Sequence, residues 1–509
     1  MITAISRGTE GPFATVGVTR DADGVPRFSD LPVSLVAGLR SVVRGSPDEE
    51  AVVELGGERL TYAQLWDRAS RVAGGLRAAG VQAGDTVAIR LPNGTAWVES
   101  FVGVLLAGAV AVPVNTRLAP PEVETLLDDA RPSYVIDVDH PAPKGDPVEA
   151  RDAGRDSLAA IFYTSGTTGR SKGATATHEA MLAVARTVTR TIGLESTPDA
   201  PLRTLVCIPL FHVTGCNGQL VPTLLSGGTV VIQRQLDVPE MLAALKDERI
   251  TYLVAVPAIY FYLLANEWFD AAAFELLRWA VYGGAPIAPD LVARLTRVLP
   301  RVRVANGFGM SETSSLATLL PHEDAVGHAD SVGYPGPAVD VGILDGDESS
   351  GVGEIVLRGQ SVTRGYWRTP ELNSEIFVDG WLKTGDVGRI DEAGRLYLVD
   401  RSKDIINRGG ENVYSVEVEN ALADAPGVGE AAVVAVPDAM MGEKVGCVLV
   451  ATGDGIDVAA VIEHVEARLA DYKVPQFVAV RQRPLPRNAG GKVLKHVLRD
   501  ETTWPAPVR

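Results

Sequence analysis

The chain is 509 residues long, with 47 basic and 64 acidic side chains, a formal net charge of −17, and 46% hydrophobic residues. That balance argues against a protein that grips nucleic acid or an anionic membrane over a broad face, because phosphate contacts need an excess of Lys and Arg. The length exceeds the roughly 250 to 300 residues that one hydrophobic core serves, so at least two domains are expected.

Residues 1–30 are rich in Gly, Pro, Asp and Arg, lack the apolar run of a signal peptide, and read as a loosely ordered N-terminal extension. Beyond them, apolar runs alternate with amphipathic segments. DTVAIRL (85–91) is strand-like, TAWVESFVGVLLAGA (95–109) helix-like, TVVIQ (229–233) strand-like, VPEMLAALKDER (238–249) helix-like and TYLVAVP (251–257) strand-like. This alternation predicts βαβ layers around covered, largely parallel sheets. The longest greasy stretch, Phe101 to Val114, is about 14 residues, too short to span a bilayer, and reads as core. From Ser331 to Gly359 short runs broken by Gly, Pro and Asp predict antiparallel strands with tight turns. Near residue 400 the composition shifts again, to a compact α+β unit of roughly 100 residues, which is domain-sized. Cys207, Cys216 and Cys447 form no disulfide framework and suit a reducing cytoplasm.

The first chemical signal is YTSGTTGRSKG (163–173), directly after the apolar LAAIF. Its glycines allow close backbone approach, the hydroxyls of Thr164, Ser165, Thr167 and Thr168 can donate to phosphate oxygens, and Lys172 adds a point charge. A Walker A loop fails here, because Ser171 stands where that motif needs its second glycine. The string resembles the phosphate-binding signature of the AMP-forming acyl-CoA synthetases, within the adenylate-forming superfamily that also holds luciferases and peptide-synthetase adenylation domains. It departs from that signature only at Ser171, usually Pro.

Further motifs follow in the family's order, and the resemblance covers about residues 45–500. NGFGMSET (306–313) resembles the N-x-Y-G-x-T-E segment, which implies Phe308 stacked on adenine, Ser311 facing the α-phosphate and Glu312 holding Mg²⁺. A hard cation of that kind wants carboxylate and phosphate oxygens. YGGAP (282–286) resembles the adenine-side loop. WLKTGD (381–386) and DRSKDI (400–405) resemble the ribose and hinge segments, and LPRNAGGKV (485–493) resembles the segment with the adenylating lysine. ATP-binding residues are therefore expected at Thr164, Ser165, Gly166, Thr167, Thr168, Gly169, Lys172, Gly283, Gly284, Ala285, Pro286, Asn306, Gly307, Phe308, Gly309, Met310, Ser311, Asp386, Arg401 and Lys492. Lys492, Glu312 and Ser311 are the expected catalytic residues, and Glu312 is the metal ligand.

The resemblance also implies the architecture. The expected fold class is α/β, with a large N-terminal domain (31–400) of βαβ layers plus a small β-barrel-like subdomain, hinged at Lys403 to a small, mobile α+β C-terminal domain (401–509). Gly409 and Gly410 are expected to line a pantetheine tunnel, and Ser415, where the family often has Pro, to leave the turn after the hinge less rigid. PLFHVTG (209–215) resembles the segment that gates the acid pocket, which implies His212, Val213, Gly215, Tyr260, Gly284, Gly307 and Met310 as its walls. ATP, Mg²⁺ and CoA are the implied cofactors, a carboxylic acid the substrate, and a homodimer is compatible. The small residues tilt the expectation toward a fatty acid. An aryl or arylpropenoic acid, a carrier protein as acceptor, and a silent nucleotide-binding protein are the alternatives. CoA is favoured because the compact span from Gly351 to Trp381 lacks the insertion of acyl-AMP ligases. Retention of Lys172, Glu312, Asp386, Arg401 and Lys492 together argues against silence. Finally, Tyr472 to Arg499 holds Lys473, Arg481, Arg483, Arg487, Lys492, Lys495 and Arg499 with no acidic residue, which predicts a local positive field.

Overall fold

The computed structural model describes residues 2–5, 11–148, 153–164, 171–194, 196–197, 200–285, 287–347, 350–401, 404–408, 411–438, 441–453, 455–488 and 491–508. Ser165, Gly166, Thr167, Thr168, Gly169, Pro286, Lys403, Gly409 and Gly410 lie outside them, and of Arg401 only the backbone is described.

The alternating pattern folds as two sheets sharing helices. The strands Glu50–Glu54, Thr229–Ile232, Arg203–Val206, Tyr252–Ala255, Trp279–Gly283 and Arg303–Met310 lie side by side and parallel. A second sheet runs Lys172–Thr177, Leu158–Thr164, Val110–Pro113, Thr86–Ile89, Tyr134–Ile136, parallel except at its first pair. One hydrophobic core takes Val52, Val230 and Ile232 from the first sheet and Val87, Ile89, Ala111 and Phe162 from the second. The helix Thr95–Ala107 between them is buried on nearly every face, so it carries apolar residues all round, and Gly108 ends it in the left-handed conformation. Local chemistry starts the other helices. Ser34 and Thr177 cap Leu35–Gly45 and His178–Ile192 by accepting backbone N–H bonds, and Thr61 with Gln64 forms a capping box on Tyr62–Ala78.

Two expectations differ from the structure. The antiparallel region does not close into a barrel. Ser331–Pro335 pairs on one edge with Ser315–Leu320 and on the other with Leu396–Arg401, so these strands continue the large sheet. The outer edge of Val339–Leu344, which a barrel would need for closure, is taken by Ile2–Ala4. The same contact overturns the loosely held N-terminal extension in its described part. A hairpin pairs Val18–Arg20 with Pro26–Phe28, Arg20 makes a two-point ion pair with Asp340 at 2.7 and 2.9 Å, and buried Phe28 donates its N–H to Gln360.

The C-terminal unit has its own core. Glu411–Val413, Ile406–Arg408, Gly442–Ala451 and Val428–Asp438 form an antiparallel sheet, extended by the parallel strand Phe477–Arg481. Helices Ser415–Ala423 and Val458–Glu466 bury Val418, Leu422, Val461 and Val465 against it.

Candidate active site

The parallel strands of the large sheet end where the sequence motifs begin, the edge at which open α/β sheets bind ligands. Thr164 and Lys172 are register partners at the tip of an antiparallel pair, so the two ends of the intervening segment lie side by side. The Tyr163 hydroxyl donates to Asp129 at 2.5 Å and fixes the base of that hairpin.

Next to it, Trp279–Gly283 and Arg303–Met310 run in register with Gly283 opposite Gly307. A Cβ on Gly283 would sit 2.3 Å from the Gly307 carbonyl oxygen, so two glycine-bearing motifs far apart in sequence are required by one close approach. The segment Ser311–Thr313 forms a single 3₁₀ turn. Thr313 Oγ1 accepts from the Met310 N–H at 3.0 Å and donates to the Ser315 carbonyl at 2.8 Å. Ser314 (φ 56°) and Ser315 (φ 127°) then hold left-handed conformations rare for side-chain-bearing residues. The Glu312 carbonyl accepts from Thr363 N–H at 2.6 Å, and its carboxylate Oε1 accepts from the Tyr366 hydroxyl at 2.5 Å. Lys172 Nζ lies 5.6 Å from the centre of the Tyr366 ring. Lys172 and Glu312 are thus brought to opposite parts of one side chain.

On the other side, Asp386 and Arg401 are register partners on neighbouring strands, and Asp386 is buried. Lys492 is exposed on a tight turn, where its N–H donates to Asn488 Oδ1 and its carbonyl accepts from the Asn488 N–H, both at 2.9 Å. Leu485, at the start of that segment, packs with Ala432, Val434 and Val448, so the turn is carried by the C-terminal unit. The expected positive field there is partly neutralised: Lys473, Arg487 and Lys495 pair with Glu417, Glu430 and Glu419.

At the ends of Trp279–Gly283 and Arg303–Met310 lies a cavity enclosing about 610 Å³ of space, including its opening to solvent. Val213, Gly284 and Gly307 of the expected acid pocket line it, as does Phe308. Thr191, Tyr252, Ser315 and Leu316 line it too, from outside the quoted motifs, as do Thr214 and Tyr282 from within them. Four expected wall residues stand back. Tyr260 is a core residue whose buried hydroxyl meets the Leu253 and Val281 carbonyls at 3.1 and 3.0 Å. Gly215 serves a backbone contact instead, since a Cβ there would come 2.6 Å from the Pro209 carbonyl oxygen. Met310 packs with the apolar cluster of Phe308, Val339 and Leu396. His212 sits against the Phe211 ring at 4.7 Å, and burial, aided by Arg117, pushes its pKa down to about 4. Its imidazole is therefore neutral at neutral pH.

The donor set around Glu312 can be tested against a divalent cation. Among the described residues no cluster of three or more His, Cys, Asp or Glu could hold a metal by itself. A single carboxylate whose Oε2 has no hydrogen bond among the described residues fits Mg²⁺, which is commonly held by one or two carboxylates with substrate phosphates and water. Sequence reasoning missed Tyr366, Thr363 and Asn217. For Asn217 a signal existed, because Asn217 and Gln219 interrupt an otherwise apolar run and are fully buried. Among the described residues no helix is long and apolar enough to cross a membrane.

Comparison with known proteins places this geometry. Residues 39–367 match the model of the AMP-binding enzyme family, and residues 417–492 match that of the AMP-binding enzyme C-terminal domain. The chain is 39% identical over 487 residues to a feruloyl-CoA synthase of Amycolatopsis, covering 90% of this chain and 96% of that protein. It is 34% identical over 503 residues to a long-chain-fatty-acid-CoA ligase of Mycobacterium tuberculosis, covering 92% and 98%. The solved structure of o-succinylbenzoate CoA synthetase from Bacillus subtilis with its acyl-adenylate intermediate superposes with a TM-score of 0.85 at 30% identity, covering 92% of this chain and 99% of that one. With both family models matched in order and CoA ligases aligned over nearly the full length, the chain belongs to the AMP-binding enzyme family, among its adenylate-forming acyl-CoA ligases.

Proposed function

We propose that this protein joins a carboxylic acid to ATP, releasing pyrophosphate, and then passes the acyl group to CoA. The observation that carries the reading is the convergence of the Lys172 hairpin and the Glu312 turn on Tyr366, beside a cavity walled by Gly284, Gly307 and Val213. In the first step the acid's carboxylate oxygen bonds to the α-phosphorus while the bond to the bridging oxygen breaks. In the second the CoA sulfur attacks the acyl carbonyl, AMP leaves, and the thiol proton goes to solvent.

Both reactants of the first step are anions, so catalysis depends on preorganised donors and cations rather than a protein nucleophile. Lys492, Ser311, Lys172 and the 164–169 loop take that role. Glu312 would hold Mg²⁺, which when bound neutralises phosphate charge. Phe308, Met310, Gly309 and Asn306 form the adenine side with Gly283, Gly284, Ala285 and Pro286, while Asp386 and Arg401 take the ribose; their cross-strand pairing supports this. The division into 31–400 and 401–509, Lys403 as hinge, and Gly409 with Gly410 along the CoA path are part of the same reading. The separate core of the C-terminal unit supports it. Three buried free thiols are consistent with a reducing cytoplasm, and exposed Phe261, Tyr262 and Trp268 offer a homodimer an apolar surface.

For the acid, the walls favour an aryl-bearing substrate over a plain alkyl chain. Tyr252, Tyr282, Phe308, Thr191 and Thr214 combine ring faces with hydroxyls, and the Tyr282 hydroxyl is buried without a partner among the described residues. The 39% identity to a feruloyl-CoA synthase agrees. Pyrophosphate release is measured with arylpropenoic and fatty acids, with and without CoA. Faster release with long-chain fatty acids would remove the aryl reading, and no acid-dependent release would remove the enzyme reading. Lys492→Ala should lower adenylation by roughly 10²- to 10³-fold. Transfer from preformed acyl-adenylate should be far less affected, and equal loss of both steps would count against the role of Lys492.

A further inference from the structure

Tyr366 belongs to none of the motifs that define the site, yet it touches two of them. Its ring lies under the Lys172 ammonium at 5.6 Å and its hydroxyl donates to Glu312 Oε1 at 2.5 Å. A hydrogen bond to an ionised acceptor is shorter and stronger than a neutral one, and it fixes the carboxylate's rotation.

The side chain is itself firmly held. Tyr366 N–H donates to Asn373 Oδ1 at 2.7 Å, Asn373 Nδ2 donates back to the Tyr366 carbonyl at 3.1 Å, and the next residue, Trp367, donates its N–H to the Gly173 carbonyl at 2.7 Å. Thr363 N–H holds the Glu312 main chain from the same segment. Residues 363–367 therefore grip Glu312 at both its backbone and its carboxylate, and leave Oε2 without a hydrogen bond among the described residues.

We propose that Tyr366 is a positioning residue for the divalent cation: by engaging Oε1 it presents Oε2 of Glu312 to the metal of the bound nucleotide, and it keeps Lys172 stacked beside the phosphate loop. The inference rests on the reading of Glu312 as the metal ligand. Hydrogen-bond partners of metal-binding groups of this kind typically contribute about 10- to 100-fold in metal affinity.

The test titrates Mn²⁺ into the full-length protein with a non-hydrolysable ATP analogue, reading free Mn²⁺ by its paramagnetic resonance signal, for the wild type, Tyr366→Phe and Glu312→Gln. Tyr366→Phe keeps the ring under Lys172 and the backbone bonds to Asn373, and removes only the donor. It is expected to raise the Mn²⁺ concentration for half-occupancy about tenfold or more, leaving metal-free nucleotide binding and the thermal midpoint unchanged. If its titration coincides with the wild type while Glu312→Gln weakens the metal, the inference is overturned and the Glu312 reading stands. If Glu312→Gln also coincides, both fall. Should Tyr366→Phe fail to fold, Asn373→Ala, which frees the Tyr366 backbone, takes its place: a smaller shift of the same sign is expected, and coincidence with the wild type overturns the inference.

Discussion

Asn217 Nδ2 donates to the main-chain carbonyl of Ser314 at 2.9 Å, and both residues are fully buried. Asn217 lies in the π-helical turn Cys216–Leu220, just after the segment 209–215, whereas Ser314 follows Glu312 by two residues. A π-turn and a left-handed Ser314 are both unfavourable local conformations, and this bond joins one to the other. The cavity wall is thereby tied to the turn that bears Ser311 and Glu312.

Asn217→Ala leaves the Ser314 carbonyl without this donor, at a cost of about 1–3 kcal/mol in stability. Because the turn beneath Ser311 and Glu312 shifts, adenylation should fall by roughly 10- to 100-fold. Denaturant melts and pyrophosphate release measure the two effects. Full activity in a destabilised variant would confine Asn217 to folding.

Ser415 ties down the start of the helix Ser415–Ala423 rather than loosening it. Its N–H and hydroxyl both bond to buried Asp400, the hydroxyl at 3.0 Å, and Lys495 Nζ lies 2.5 Å from the same hydroxyl. Proline could supply neither bond. Ser415→Pro is compatible with the helix, since proline is favoured at a first helical position, but it removes both Ser415 bonds to Asp400. The expected result is a folded protein cleaved several-fold faster by protease between residues 400 and 415, with the balance of the two half-reactions changed. An unchanged cleavage rate would show that this contact does not restrain the junction.

Two glycines of one motif should respond oppositely to a methyl group. A Cβ on Gly309 would lie 1.5 Å from the Ser315 carbonyl oxygen, a backbone collision, so Gly309→Ala should destabilise by about 3 kcal/mol or more. A Cβ on Gly307 would meet the Leu316 side chain at 3.0 Å, where a flexible end can give, and Gly307 lines the cavity. Gly307→Ala should therefore fold and discriminate against bulky acids, raising their KM more than that of small ones. Thermal melts and a substrate-size series distinguish the pair.

Stability should fall on the acid side through two enclosed histidines. Burial pushes the pKa of His178 and His212 down to about 4 from an unfolded value of 6.5. A base whose folded pKa is depressed gives stability that is complete above the unfolded pKa and lost as pH falls toward the folded one. Between neutrality and about pH 5 each should lose about 2 kcal/mol. His178→Gln should flatten the slope of unfolding free energy against pH. An unchanged slope would place the acid sensitivity elsewhere.

How much was legible in the sequence varied with distance along the chain. The alternating runs anticipated strands such as Thr86–Ile89, Thr229–Ile232 and Tyr252–Ala255, because hydrophobic periodicity is local and tertiary contacts here reinforced it. The barrel-like expectation failed because pairing depends on a remote strand, Ile2–Ala4, that three residues alone cannot signal.

The sequence by itself determined the family and the order of the motifs, because each motif is a short run whose chemistry is spelled out contiguously. Only the tertiary structure decided which side chains meet. It put Tyr366 between Lys172 and Glu312, set Gly283 against Gly307, and moved Tyr260 from an expected pocket wall into the core. The physical reason is that a hydrogen bond or a steric contact is fixed by strand register and helix packing between segments up to about 190 residues apart in this site, as with Thr175 and Thr363, and no local pattern encodes that distance.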